Sequence, residues 1–154
     1  MDDVYLGNPL LKKANVAQEF TQEQILEFMA CKQDPVYFAK QHVKIVSLDE
    51  GLVPFKPYDF QERLIQNFHE NRFNICKMPR QTGKSTTSVS YLLHYAVFND
   101  NVNIGILANK AATARDLLGR LQTAYENLPK WMQQGIISWN KGSLELENGS
   151  KILA

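Results

Sequence analysis

The chain has 154 residues, 44% hydrophobic and 21% charged, with a formal net charge of +1. That is enough for one domain with a real core, of ordinary soluble globular composition, and short for a complete motor ATPase. The charge supplies no global basic field for nucleic acid, so any DNA contact is local; no apolar run approaches the ~20 residues that span a bilayer, and Asp2 and Asp3 do not fit a secretory signal.

Residues 1–20 show mixed polarity without a period and are expected to form a loosely ordered arm. Thr21-Gln22-Glu23-Gln24 has the form of a capping box, opening a helix with Ile25, Phe28 and Met29 on one face. Asp34-Pro35 starts a second helix, Asp as cap and Pro at the first helical position. Val43 to Val46 alternates and reads as a short strand, and Gly51 to Pro57 reads as a linker. A boundary is placed there, between a helical segment 1–53 and a nucleotide-binding piece 54–154. Phe60 to His69 is expected as a helix with Phe60, Leu64, Ile65 and Phe68 inward, followed by a buried strand over 73–77. A helix over 85–98, a strand over 102–107 buried on both faces, and a helix over 111–128 complete a βαβα order. Right-handed crossovers would lay those strands parallel. Asn148-Gly149, between the alternating segments 143–146 and 151–154, predicts a hairpin.

The chemistry concentrates at Met78-Pro79-Arg80-Gln81-Thr82-Gly83-Lys84-Ser85-Thr86. The run ends as the phosphate loop G-x-x-x-x-G-K-[ST] ends, between an expected strand and an expected helix. Gly83 allows a tight turn that brings amides to phosphate oxygens, and the next helix's N-terminus favours anions. Lys84 would then hold the β- and γ-phosphates, and Ser85 would give its hydroxyl to Mg²⁺. Met78 stands where the pattern has Gly, and Pro79 removes an amide donor. Arg80 is a candidate arginine finger supplied in cis, or else a solvated loop cation or salt-bridge partner. Upstream, Phe60-Gln61 offers an aromatic face and an amide that can read adenine, Gln61 otherwise being a solvent-facing helix residue.

Taken together these segments resemble the large terminase subunit of tailed phages, of the myovirus type. The resemblance is carried by Asp34-Pro35-Val36-Tyr37-Phe38, Pro54-Phe55, Phe60-Gln61, Arg80 to Ser85 and Gly105 to Lys110. It continues through Leu128-Pro129, Gly135-Ile136, Trp139 to Ser143 and Leu146 to Ser150, and so runs from about residue 30 to residue 154. It implies an α/β, partial P-loop NTPase fold: a parallel βαβα core with a helical N-terminal segment and a C-terminal hairpin. It implies ATP and Mg²⁺ as cofactors, bound by Phe60, Gln61, Gln81, Thr82, Gly83, Lys84, Ser85 and Thr86. Ser85 would be the metal ligand, and Arg80 and Lys84 the catalytic residues. The family's motor pumps double-stranded DNA through a portal into a capsid, working with a small terminase subunit in the host cytoplasm. A later strand ending in Asp-Glu and a nuclease domain belong to that family and are not in this sequence; Asp49-Glu50 lies upstream, in the linker. The chain is therefore expected to be an N-terminal piece that binds ATP with little or no hydrolysis.

Two rivals stand beside this reading: a helicase-like ATPase fragment, and a non-catalytic interaction module. Cys31 and Cys76 are read as reduced core thiols without metal spacing, and His42, His69 and His94 as scattered. Trp131 and Trp139 are read as packing residues, and Glu145 and Glu147 as a solvated strand face.

Overall fold

The computed structural model of the protein describes residues 3–154, so the first two residues of the expected arm lie outside it. A hairpin of β1 (Val4–Tyr5) and β2 (Asn8–Lys12) leads into α1 (Gln22–Gln33) and α2 (Pro35–His42). A second hairpin, β3 (Lys44–Ser47) with β4 (Gly51–Pro54), precedes α3 (Asp59–Glu70). Then come α4 (Lys84–Phe98), β5 (Asn103–Gly105), α5 (Ala111–Glu126), β6 (Ile136–Trp139), β7 (Ser143–Leu146) and β8 (Lys151–Leu153).

The helix starts form for local reasons. The Thr21 hydroxyl accepts from the Gln24 amide at 3.2 Å while the Gln24 side chain accepts from the Thr21 amide at 3.0 Å, the reciprocal capping box. Asp34 works on two helices. Its amide donates to Ala30 at 3.1 Å, ending α1, and its carboxylate accepts from Val36 at 2.8 Å and Tyr37 at 3.1 Å, starting α2. Asp34→Ala is expected to cost about 1 kcal/mol, read as a lower urea midpoint with an unchanged slope.

The core is organised around α4, which packs against α2, α3 and α5. It buries Val89, Leu93, Ala96, Val97 and Phe98. Phe38 of α2 meets Phe98 edge-on at 5.3 Å, and Phe28 of α1 does so at 5.0 Å. Of Ile25, Phe28 and Met29, expected on one face of α1, Ile25 and Met29 are exposed, and Phe28 and Cys31 carry the packing of the helix. On α3, Leu64 and Ile65 are buried while Phe60 is exposed.

The sheet differs from the expected parallel core. Its order is β5-β8-β7-β6, with β5–β8 parallel and the other two pairings antiparallel. The Asn148-Gly149 hairpin forms as expected, Gly149 taking φ +81°. A second hairpin at Asn140 to Gly142 joins β6 to β7. β5 is buried on one side only, through Ile104.

The strand expected over 73–77 does not form, and Ile75 is wholly exposed. An apolar segment becomes a strand only when a neighbour supplies a ladder for its backbone, and no described strand pairs with this one. Cys76 lies in the same stretch and is exposed, so only Cys31 is a core thiol. The Gly51 to Pro57 linker is partly β4, register-matched to β3 from Lys44↔Pro54 to Ser47↔Gly51.

The N-terminal arm is also more ordered than its sequence suggests. Leu11 is buried, and Gln133 accepts from the Lys12 amide at 3.0 Å and donates to the Leu10 carbonyl at 2.9 Å. Glu147, expected on a solvated face, accepts from the amides of Asn15 and Gly135 and pairs with Lys12 at 3.6 Å. Gly135 is required at that junction, because a Cβ there would lie 2.5 Å from the Ala14 backbone. Trp131 and Trp139 pack against the core as expected.

The candidate nucleotide site

The site begins where α4 begins. Gly83 caps that helix at φ +73°, a left-handed conformation suited to glycine. Gln81 also has positive φ, at +63°. These two bends fold residues 78–83 into a tight loop above the helix N-terminus. Thr87 locks its exit: both its amide and its hydroxyl donate to the Gly83 carbonyl at 2.9 Å. The Thr82 hydroxyl donates to the Pro79 carbonyl at 3.0 Å and closes the loop from within. The amides of Lys84, Ser85 and Thr86 find no acceptor among the described residues, as expected of a helix's first turn.

The side chains divide into two groups. Lys84 reaches back across the loop and donates to the Met78 carbonyl at 2.7 Å. Gln61, 5% exposed, braces the loop from α3. Its amide nitrogen donates to the Thr82 carbonyl at 3.1 Å and its oxygen accepts from the Tyr58 amide at 2.9 Å. A Cβ on Gly83 would overlap that amide nitrogen. Beside it, Tyr58 and Phe60 stack with centroids 5.8 Å apart and planes 11° from parallel. Both rings are exposed.

The second group faces elsewhere. Gln81 and Thr86 line a cleft of about 900 Å³ between β3, α4 and α5. Arg115, Asp116 and Arg120 of α5 line the same cleft, with Arg120 paired to Asp116 at 3.1 Å. The sequence reading missed these residues, although the stripe of Asp116, Gly119, Arg120 and Thr123 along α5 signals a polar helix face. Arg80 and Ser85 are exposed at the loop surface, and Arg80 makes no ion pair among the described residues. The structure thus brings Gln61 against Thr82 and Gly83, folds Lys84 back onto the Met78 carbonyl, and leaves Gln81 and Thr86 on the cleft side.

A family model for the N-terminal part of the T4likevirus-type terminase large subunit matches residues 75–154, just over half the chain. The chain belongs to that terminase family. The match opens at Ile75, takes in the whole loop, and continues through α5 to the C-terminal hairpin. Family membership supports a role in DNA packaging by a terminase, with DNA and packaging proteins as its general partners. Phe60 and Gln61 lie ahead of the matched segment, so their relation to the loop rests on the contacts just described. No helix among the described residues of this terminase segment is long and apolar enough to cross a membrane.

Proposed function

We propose that this chain is the nucleotide-binding part of a DNA-packaging motor and holds Mg-ATP on the loop 78–86. The supporting observation is the left-handed bend at Gly83, which presents three unpartnered amides at the N-terminus of a helix whose first side chain is Lys84. Such a terminus is a ready anion site. On this reading the Lys84 ammonium exchanges the Met78 carbonyl for phosphate oxygens. The Ser85 hydroxyl would hold the metal ion, and Thr82, whose hydroxyl closes the loop onto the Pro79 carbonyl, would shape the loop around the phosphates. Gln61 keeps one N–H and one lone pair free beyond its bonds to Thr82 and Tyr58, enough to meet an adenine edge. The exposed Phe60 and Tyr58 rings beside it offer a stacking surface. Arg80, exposed at the loop surface, would stabilise charge on the γ-phosphate. The bound group would supply phosphoryl-transfer chemistry; the chain's residues bind and orient it.

The wider roles belong to the same proposal: translocation of double-stranded DNA, docking to a portal and a small terminase subunit, and a place in the host cytoplasm. Asp49 and Glu50 lie exposed at the β3–β4 turn. One observation favours the interaction-module reading: Phe73, Ile75 and Leu107 are exposed apolar residues leading into the loop and out of β5, a surface suited to a protein partner.

Titration calorimetry with Mg-ATP tests the first reading. Binding at micromolar strength, about −8 kcal/mol, is expected for the native chain. Lys84→Ala is expected to weaken it at least tenfold, about 1.4 kcal/mol. Equal binding by both proteins, or none by either, would overturn it.

A further inference from the structure

Away from the loop, three side chains of different chemistry converge between α1 and α2. Glu27 and Cys31 are four residues apart on α1 and so share a face. His42 is the last residue of α2. The Glu27 Oε1 atom lies 2.7 Å from His42 Nε2 and 3.6 Å from Cys31 Sγ, and all three ligand atoms fall within 4.8 Å of one another.

We propose that Glu27, Cys31 and His42 form a binding site for a zinc-like divalent cation, with solvent completing a tetrahedron.

The geometry suits that ion. A tetrahedral zinc with sulfur at ~2.3 Å and nitrogen and oxygen at ~2.0–2.1 Å separates its ligand atoms by about 3.4–3.6 Å. The sulfur–oxygen separation of 3.6 Å already matches, and the carboxylate–imidazole contact of 2.7 Å has to open by well under 1 Å. The ligand set of thiolate, imidazole and carboxylate is one that zinc and cobalt accept and that calcium and magnesium do not.

The surroundings hold the ligands in place. The Tyr37 hydroxyl donates to Glu27 Oε2 at 2.9 Å, which fixes the carboxylate and leaves Oε1 turned toward the thiol and imidazole. The His42 ring is flanked by Phe38 at 6.4 Å and, edge-on, by Trp131 at 6.2 Å. The Cys31 carbonyl accepts from His94 Nε2 at 2.8 Å, so the backbone carrying the thiol is anchored to α4. Cys31 is wholly buried, while the Glu27 and His42 side chains keep 30% and 15% of their surface. The ion would therefore be approached from the carboxylate side, where water can fill the fourth position. Binding releases the thiol proton to solvent. A dication held by thiolate, carboxylate and neutral imidazole leaves the site without net charge.

A glutamate–histidine ion pair explains two of these residues. It does not require a buried thiol aimed at the same oxygen, and the thiol gives the proposal its test. The probe is Co²⁺, titrated into the full chain carrying Cys76→Ser, because Cys76 is an exposed thiol. One equivalent is expected to give a sulfur-to-cobalt charge-transfer band with visible tetrahedral bands, and Zn²⁺ is expected to displace it and raise the Tm. Cys31→Ser should remove the charge-transfer band, and His42→Gln should weaken binding at least tenfold. Tyr37→Phe keeps every ligand and should weaken binding about tenfold through lost positioning. Circular dichroism confirms that each variant is folded; if Cys31→Ser is not, His42→Gln and Tyr37→Phe carry the decision. Absence of the sulfur band in Cys76→Ser, its persistence in folded Cys31→Ser, or unchanged affinity in His42→Gln would overturn the site.

Discussion

Gly83→Ala is expected to abolish the proposed nucleotide binding and to destabilise the fold by about 2–5 kcal/mol, the sum of two effects. A residue with a Cβ held in the left-handed region costs about 1–2 kcal/mol, and Gly83 sits at φ +73°. The new methyl also overlaps the Gln61 amide nitrogen. Gln61 is buried and bonded at both ends, so it cannot swing aside without losing its bond to Thr82 or to Tyr58. Leaving those backbone groups unmet costs about 1–3 kcal/mol. The loop's curvature and the amides at the start of α4 shift with it. Urea denaturation and Mg-ATP calorimetry read the two consequences separately. Combining Gly83→Ala with Gln61→Ala should cost less than the sum of the single changes, because the clashing amide is gone and the loss of its bonds is counted once. Strict additivity, or native binding by Gly83→Ala, would show that the contact does not constrain the loop.

The second large effect is acid sensitivity centred on His94. Burial holds this imidazole well below its ordinary 6.5, at about 4. His69, edge-on at 6.1 Å, lowers it further. The Cys31 and Lys32 backbone and the Asp34 charge oppose the shift without cancelling it. The Nε2–H donates to the Cys31 carbonyl, while Nδ1 is buried without a partner among the described residues. A proton on Nδ1 would thus have nothing to receive it. Above pH 6.5 both folded and unfolded chains carry neutral His94, and nothing is lost. Between about 6.5 and 4 the unfolded chain takes up a proton that the folded chain refuses, and stability falls with pH. The integrated loss is of order 3 kcal/mol. His94→Gln retains a donor for Cys31 and should flatten this slope in urea titrations between pH 7 and 4.5. Glu27, held below 4.5 chiefly by its hydrogen bond to His42, loses its contribution at lower pH, so the two windows separate. An unchanged slope in His94→Gln would assign the acid sensitivity to another group.

Features fixed by neighbours in sequence were legible in advance. The capping box at Thr21, the N-cap at Asp34, the start of α4 at the loop and the Asn148-Gly149 turn each depend on a few adjacent residues. Features fixed by distant partners were not. The run at 73–77 has a strand's composition, but its backbone has no described ladder to join. β4 contains Gly51 and Pro54 and looks like a linker, yet its register with β3 makes it a strand. The site shows the same division. Gln61 stood out because an amide ahead of a phosphate loop has a chemical reading, whereas its role as a brace required Thr82 and Tyr58 to be seen around it. Glu27 and Cys31 share a helix face that the sequence reveals, but the approach of His42 depends on the turn at Asp34.

The Gln133 side chain sets an order of events during synthesis. It holds the backbone of Leu10 and Lys12 from a position 121 residues downstream of Lys12. At about 5–20 residues per second a ribosome needs roughly 6–24 s to cover that distance. Through that interval the first hairpin has neither Gln133 nor Glu147 to settle against, while α1, α2 and α3 already have one another. The β1–β2 hairpin is therefore among the last parts to find its place, and a chaperone or protease acting on the nascent chain would meet Leu11, buried in the folded protein, uncovered.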